Sequence, residues 1–341
     1  MKFNRMLTFE EAKTIYTKYL KKEESVMDLA NRLGISVDEV YGLSHLLNYF
    51  GYSVDIVLVN NEYIIKKIRK QNNISNKKIK PSMNDCNKFT IGIVSDTHLC
   101  SKEQQLHMLN TAYKYFYEKE ISDVLHCGDL VDGDYGEKRK LQIYSRFMNG
   151  AKEQSDYVID MYPRVEGIKT RFIQGSHDES HKTNGGIILG EVIERDRSDM
   201  IYEGQDHADV VINGVKIRMR HPGGGVSKYR SRSLQNTIDS MSSGNKPKMI
   251  AEGHYHKSYY CIYRNVHGLL VPSLCYQSQF MERKDVSNTM GFYDVDIYTD
   301  EKGNIQYITP REHLFKEKDI KKDDWLKTKR LVIKHELVNK K

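Results

Sequence analysis

Phe89-Thr90-Ile91-Gly92-Ile93-Val94-Ser95-Asp96-Thr97-His98 is the stretch on which the fold turns. Phe89 to Val94 reads as a short apolar strand, and it ends on an aspartate and a histidine two positions apart. Four later stretches repeat the pattern. Val124 to Cys127 leads into His126-Cys127-Gly128-Asp129-Leu130-Val131-Asp132, and Arg171 to Gln174 into Gly175-Ser176-His177-Asp178. Lys216 to Arg220 leads into His221-Pro222-Gly223-Gly224, and Lys248 to Ala251 into Glu252-Gly253-His254-Tyr255-His256. Helical stretches near 102–120 and 138–161 separate the early strands, which indicates an α/β domain. Later strands have no helices between them: Asp209 to Ile212, Ser258 to Tyr263, Leu269 to Val271, Gly291 to Tyr298 and Asn304 to Ile308. A sandwich of two mixed sheets with helices outside fits this order better than a doubly wound sheet.

In open α/β sheets the site lies beyond the carboxyl ends of the strands, so five such ends can share one cleft. Alternate residues of an extended segment point to one side, so Asp96 and His98 can bind as a pair. His254 and His256 can fan out from a loop to two neighbouring ions, and Gly128 permits the tight turn that a bridging Asp129 needs. Two divalent ions clamp the attacking and leaving oxygens of a phosphoryl displacement. Mixed carboxylate and imidazole donors suit Mn, Fe, Zn or Ni better than Mg or Ca. Each fragment alone is weak; five in order, each after an apolar strand, are not.

The series resembles the calcineurin-like metallophosphoesterases, whose signatures are D-x-H, G-D-x-x-D, G-N-H-D/E, a later His and G-H-x-H, over about residues 89–310. The resemblance implies a hydrolase of ester bonds with a four-layer fold, two mixed β-sheets flanked by helices. It implies that Asp96, His98, Asp129 and His256 hold one metal, that Asp129 bridges, and that His221 and His254 bind the second. His177 would contact the phosphate and help protonate the leaving oxygen, Asp178 would orient His177, and Asp132 would support the ligands from behind. The family's Asn ligand of the second metal is replaced by Ser176, a shorter and poorer donor, so the second site is expected to be weaker or to use a water. Gly133 stands where the serine/threonine phosphatase branch carries Arg, which counts against that branch. Ser95-Asp96-Thr97-His98-Leu99 is similar to the DNA-repair nuclease branch and to many small-substrate phosphodiesterases.

The flanks carry the basic charge. The 341-residue chain has a net charge of +7: +2 over 1–70, +3 over 71–90, −3 over 91–310 and +5 over 311–341. Thr8 with Glu11 forms a capping-box pattern for a helix over about 9–22. A second helix fits Ser25 to Leu33, and Ser36 caps a third running to about Phe50. Val54 to Leu58 and Tyr63 to Ile68 read as a hairpin turning at Asn60-Asn61. Residues 1–68 therefore resemble a winged helix-turn-helix. The third helix opens Ser36-Val37-Asp38-Glu39, with no Arg or Lys for DNA, and a protein-binding or self-association role competes. Residues 69–88 read as a basic linker and 311–341 as a basic tail, with Trp325 anchoring a terminal helix.

Tyr229, Arg230 and Arg232 follow the Gly223-Gly224-Gly225 loop and can grip phosphates. The expected function is a phosphodiesterase or nuclease acting on nucleic acid. A phosphodiesterase for small nucleotides, and a non-catalytic DNA- or protein-binding regulator with a residual metal site, stay open beside it. Nucleic acid and a second copy of the chain are the expected partners. Five cysteines without C-x-x-C spacing argue against a disulfide framework and read as buried small hydrophobes. No apolar run approaches the ~20 residues of a membrane span, and the N-terminus carries no secretory signal, so a cytoplasmic protein is expected.

Overall fold

The computed structural model describes residues 8–50, 52, 54–67, 87–135, 143–225, 229–242, 246–301 and 303–334. The chain divides into two compact units, Met1–Met83 and Asn84–Lys341.

The first unit runs α1 (Phe9–Thr14), a π-helical turn (Ile15–Tyr19), β1 (Glu23–Ser25), α2 (Val26–Leu33), α3 (Val37–Tyr49), β2 (Val54–Val59) and β3 (Glu62–Lys67). The expected capping box of Thr8 with Glu11 is present, and the expected cap Ser36 forms a second box with Glu39. The helix expected over 9–22 widens into the π-helical turn after Thr14 and ends at Leu20, whose amide donates to the Ile15 carbonyl. Asn60 and Asn61 both have positive φ, 49° and 65°, which matches the right-handed twist of a two-residue hairpin. The sheet order is β1-β3-β2, and Leu29, Val40, Leu43, Leu47 and Ile65 form the fully buried centre.

The second unit continues with β4 (Asn87–Val94), α4 (Leu106–Glu118), β5 (Asp123–His126), α5 (Ala151–Met161), β6 (Arg164–Val165), β7 (Lys169–Ile173), α6 (Ser176–Gly185), α7 (Leu189–Asp196) and β8 (Met200–Gly204). Then come β9 (His207–Ile212), β10 (Val215–Arg220), α8 (Arg232–Ser240), β11 (Met249–Glu252), β12 (Tyr259–Tyr263), β13 (Val266–Leu270), α9 (Gln279–Arg283), β14 (Gly291–Thr299), β15 (Ile305–Leu314), α10 (Asp324–Lys327) and β16 (Val332–Ile333). A six-stranded sheet has the order β15-β14-β4-β5-β7-β8 and a five-stranded sheet β12-β13-β11-β10-β9. Both are mixed: β4, β5, β7 and β8 run parallel, as do β10, β11 and β13, with antiparallel β14 and β15 at one edge of the first sheet and antiparallel β12 and β9 at the two edges of the second.

The layers follow from the alternation of apolar residues. Ile91, Ile93, Leu125 and Ile173 meet Ile217, Met219, Met249 and Leu269 between the sheets. Val94, Val124 and Phe172 face the other way, under Leu109, Tyr113 and Phe116 of α4 and Val158 of α5. Leu234 and Ile238 of α8 cover Ile250, Val266 and Leu270 on the outer face of the second sheet. The result is the expected four layers, helix, sheet, sheet, helix.

Three expectations about boundaries change. The helix near 138–161 begins at Ala151, because Gly150 turns the chain at φ 83°; residues 136–142 lie outside the described residues. Of the linker, residues 69–86 also lie outside them, and Asn87 and Lys88 already belong to β4. The segment from 311 is not a separate tail where it is described: β15 runs through position 310 to Leu314, and β16 pairs with β6. Asp324 is buried and accepts from the Leu106 amide (2.6 Å) at the head of α4, besides pairing with the His107 ring (2.8 Å). A buried carboxylate with that job is invisible to a count of basic residues. Trp325 stacks on Phe147, centroids 4.8 Å apart, and anchors the helical turn α10.

Candidate metal centre

The turns after five parallel strands bring the acidic and imidazole residues together. Asp96 and His98 follow β4, Asp129 and Asp132 follow β5, and His177 is the second residue of α6, just beyond β7. His221 follows β10, and His254 and His256 follow β11. Five of these residues have left-handed backbone: Asp96 (φ 50°), His98 (40°), Asp129 (53°), His254 (75°) and His256 (49°). Such conformations cost about 1–3 kcal/mol each and persist where the surroundings over-determine them. Here backbone bonds between the turns do so: the amides of Asp96 and His98 donate to the carbonyls of Gly128 (3.0 Å) and Asp129 (3.1 Å), and Leu274 donates to the Asp96 carbonyl (3.1 Å). The His254 amide donates to the Asp96 carboxylate at 3.0 Å.

Two glycines make the close approach feasible. Gly128 sits at φ 92°, and a Cβ there would strike the His221 ring. A Cβ on Gly175 would overlap the Asp129 carboxylate.

Three sets of donor atoms lie within 4.8 Å of one another: His98, His256 and Cys275; His98, Asp129 and His177; and Asp129, His221 and His254. Asp129 belongs to two of them. His221 donates from Nδ1 to the Cys127 carbonyl (2.8 Å), which leaves Nε2 facing Asp129 Oδ2 at 3.0 Å. That close pair lacks hydrogen-bond alignment, since His221 Nε2 has no hydrogen-bond partner. His98 Nε2 and His256 Nε2 converge at 3.2 Å, and His256 Nε2 lies 3.3 Å from Asp96 Oδ1. Among the described residues, Asp96 and Asp129 form ion pairs only with imidazoles, although both carboxylates are buried. Burial works against the charge of each, yet His256 beside Asp96 and His221 beside Asp129 hold both well below the usual carboxylate range. Two buried carboxylates with no fixed cation and several converging imidazole nitrogens are a donor set for divalent ions.

The remaining expected residues fall as follows. His177 is half-buried beside His98 and donates from Nδ1 to the Asp132 carbonyl (2.8 Å); burial lowers its pKa. Asp132 lies behind the ligands, 3.7 Å from His98 Nδ1, and burial raises its carboxyl to about 7. Asp178 is not where an orienting partner of His177 would be. Its carboxylate accepts from the amides of Leu130 (3.1 Å), Val131 (2.9 Å) and Gly175 (2.8 Å). It braces the two turns rather than the imidazole. Ser176 is exposed at the first position of α6. Tyr229 is exposed, Arg230 donates to the Ser258 carbonyl (3.2 Å), and Arg232 heads α8.

Two residues escaped the sequence reading. Cys275, expected to be an ordinary buried thiol, stands with His98 and His256. Arg146 is buried against the Gly133 carbonyl and within 4.0 Å of Asp132. Neither lies in a motif.

A family profile described as the calcineurin-like phosphoesterase superfamily domain matches residues 89–272, more than half of the chain. The chain belongs to that superfamily. It is a phosphoesterase, a hydrolase acting on phosphoester bonds, with the fold described above. No curated protein matches the phosphoesterase. Among solved structures, an archaeal phosphodiesterase is similar at 16% identity and TM-score 0.37, over 67% of this chain and 100% of that one. A predicted phosphoesterase from Streptococcus pneumoniae TIGR4 is similar at 10% identity and TM-score 0.34, over 67% of this chain and 99% of that one. The zinc complex of Vps29 from Entamoeba histolytica is similar at 15% identity and TM-score 0.31, over 66% and 99%. With scores this low, the family match is the ground of the assignment. No helix among the described residues is long and apolar enough to cross a membrane.

Proposed function

We propose that this phosphoesterase is a divalent-metal-dependent phosphodiesterase that hydrolyses nucleic acid. The observation that carries the metal dependence is the sharing of buried Asp129 between two donor sets, one with His98 and one with His221 and His254. Asp96, His98, Asp129 and His256 would hold one ion, and Asp129, His221 and His254 the other, with Ser176 a poor replacement for an amide donor. Bound divalent ions, manganese first and iron, zinc or nickel next, supply positive charge to the phosphoryl oxygens and acidify a water. His177 keeps Nε2 available because Nδ1 is committed to the Asp132 carbonyl. Burial favours the neutral ring, and an arriving phosphate anion favours the protonated one, which can then donate to the leaving oxygen.

Nucleic acid as substrate is supported by the helix and hairpin order of the N-terminal unit and by the basic excess outside residues 91–310. Labelled single- and double-stranded DNA, incubated with the full chain and Mn²⁺, is the direct test, and cleavage is expected. Turnover of only bis-para-nitrophenyl phosphate and cyclic nucleotides would move the substrate to small phosphodiesters. Metal binding without any turnover would leave a regulator. Metal analysis should count two ions, one readily exchanged; two equally tight ions would refute the weak second site.

A further inference from the structure

A cavity of about 360 Å³ opens beside His221, outside the donor sets described above. Pro222, Gly223 and Gly225, just after His221, form one wall, and Arg232 and Asn236 of α8 form another. Arg220, the last residue of β10, and Tyr255 complete it. The cavity is tied to the centre: His254 Nε2 donates to the Gly224 carbonyl in that glycine loop (2.7 Å), and the His254 and Tyr255 rings lie 5.2 Å apart.

The chemistry of its lining is one-sided. Glu252, fully buried at the end of β11, accepts from Arg220 Nη1 (2.9 Å), Thr237 Oγ1 (2.9 Å) and Ser233 Oγ (2.7 Å). Tyr255 donates its hydroxyl to Ser233 Oγ (3.0 Å). This network consumes the carboxylate and most of the hydroxyl protons. What remains unspent is donors: the Nε and Nη2 groups of Arg220, the whole Arg232 guanidinium and the Asn236 amide, which have no side-chain partner among the described residues. Two guanidinium groups against one carboxylate leave a positive charge. A planar fork with free N–H groups suits the oxygens of a phosphate. The cavity starts one residue from His221 and from His254, so a group held in it is displaced from the reacting phosphorus.

We propose that this cavity is a subsite for a non-reacting phosphate, the one neighbouring the scissile bond in a phosphodiester chain. The proposal rests on the phosphodiesterase reading and narrows its substrate to diesters that carry a further phosphate. Arg232 and Asn236 would bind that phosphate, while Glu252 holds Arg220 in place.

The test has two arms on the full chain. In the first, Mn²⁺-loaded protein is given a dinucleoside monophosphate and its 5′- and 3′-phosphorylated forms. One phosphorylated form should be preferred by about 10-fold in kcat/KM, and Arg232→Ala should bring that preference close to 1, chiefly through KM. Equal turnover of all three by the wild type, or an equal loss on all three in Arg232→Ala, would overturn the subsite. In the second, EDTA-treated protein is titrated calorimetrically with thymidine 3′,5′-bisphosphate. One site is expected, weakened about 10-fold by Arg232→Ala or Asn236→Ala; no site, or unchanged affinity in both variants, would overturn it. If the wild type hydrolyses no diester, the phosphodiesterase reading fails, and the titration still decides the cavity.

Discussion

In the N-terminal unit the described non-glycine residues with positive φ are Asn60 and Asn61, side by side in a hairpin turn. In the phosphoesterase domain they include Asp96, His98, Asp129, His254 and His256, one or two at the end of each of three strands. The asparagines sit where the turn demands that backbone and where their side chains tolerate it. The aspartates and histidines obey no local demand. Their backbone is held by amides and carbonyls of turns remote in sequence, such as Gly128 to Asp96 and Asp96 to Leu274. The contrast separates structure dictated locally from structure imposed to converge donors on one point, as strain at functional sites is.

The sharpest way to break this comparison is to remove the residue that the donor sets share. Asp129→Ala should lower phosphodiester kcat/KM by at least about 10³-fold, since ion-supplied charge stabilisation amounts to several kcal/mol and each 1.4 kcal/mol is tenfold. The same variant should bind fewer ions by metal analysis. Full activity in Asp129→Ala would remove the centre from the chemistry. Next in size is Gly128→Ala. The new Cβ meets the His221 ring at a φ of 92°, so unfolding should become easier by roughly 3 kcal/mol or more. Asn61→Gly, in the hairpin turn, should stay within about 0.5 kcal/mol by the same denaturant titration. Equal losses in the two would mean that the strand-end turns are no more constrained than a surface hairpin.

The same contrast explains what was legible in the sequence. The strands ending at Val94, His126, Ile173, Arg220 and Glu252 were readable because apolar runs stop abruptly on metal-binding residue types. The capping box at Thr8 and the cap at Ser36 were readable because a hydroxyl residue stands just before each helical run. Cys275 was not readable. Its place beside His256 depends on the pairing of Leu274 with Asp96, 178 positions earlier. Asp178 was assigned to its sequence neighbour His177, whereas its carboxylate reaches back to Leu130 and Val131. Asp324 looked like one charge in a basic tail, and it caps α4. In each failure the residue's partner lies far away in sequence, and no spacing rule reports that.

A pH experiment extends the comparison to the helix that carries His177. His181, on α6, is buried, and its Nε2 pairs with Gln154 Oε1 at 2.9 Å. Burial lowers its pKa from 6.5 to about 4. The unfolded chain therefore takes up the proton first, so the stability from the neutral ring is complete above about 6.5 and is lost as pH falls towards 4. The unfolding temperature of the metal-free protein should fall across that window, and His181→Gln should flatten the fall. An identical profile in the variant would place the acid sensitivity elsewhere.

The smallest effect belongs to the locally determined side. Ser36 Oγ accepts the Glu39 amide (3.2 Å), and Glu39 returns the bond to the Ser36 amide (2.6 Å) at the head of α3. Removing such a cap costs about 1 kcal/mol, a factor of roughly 5 in a local opening equilibrium. Ser36→Ala should therefore speed amide exchange in α3 about fivefold while the amides of β4 and β5 exchange as before. Those strands are held by the ladder of the six-stranded sheet. If the strand amides also accelerate fivefold, the cap is supporting the strained turns, and the division between locally and remotely determined structure fails where it was drawn.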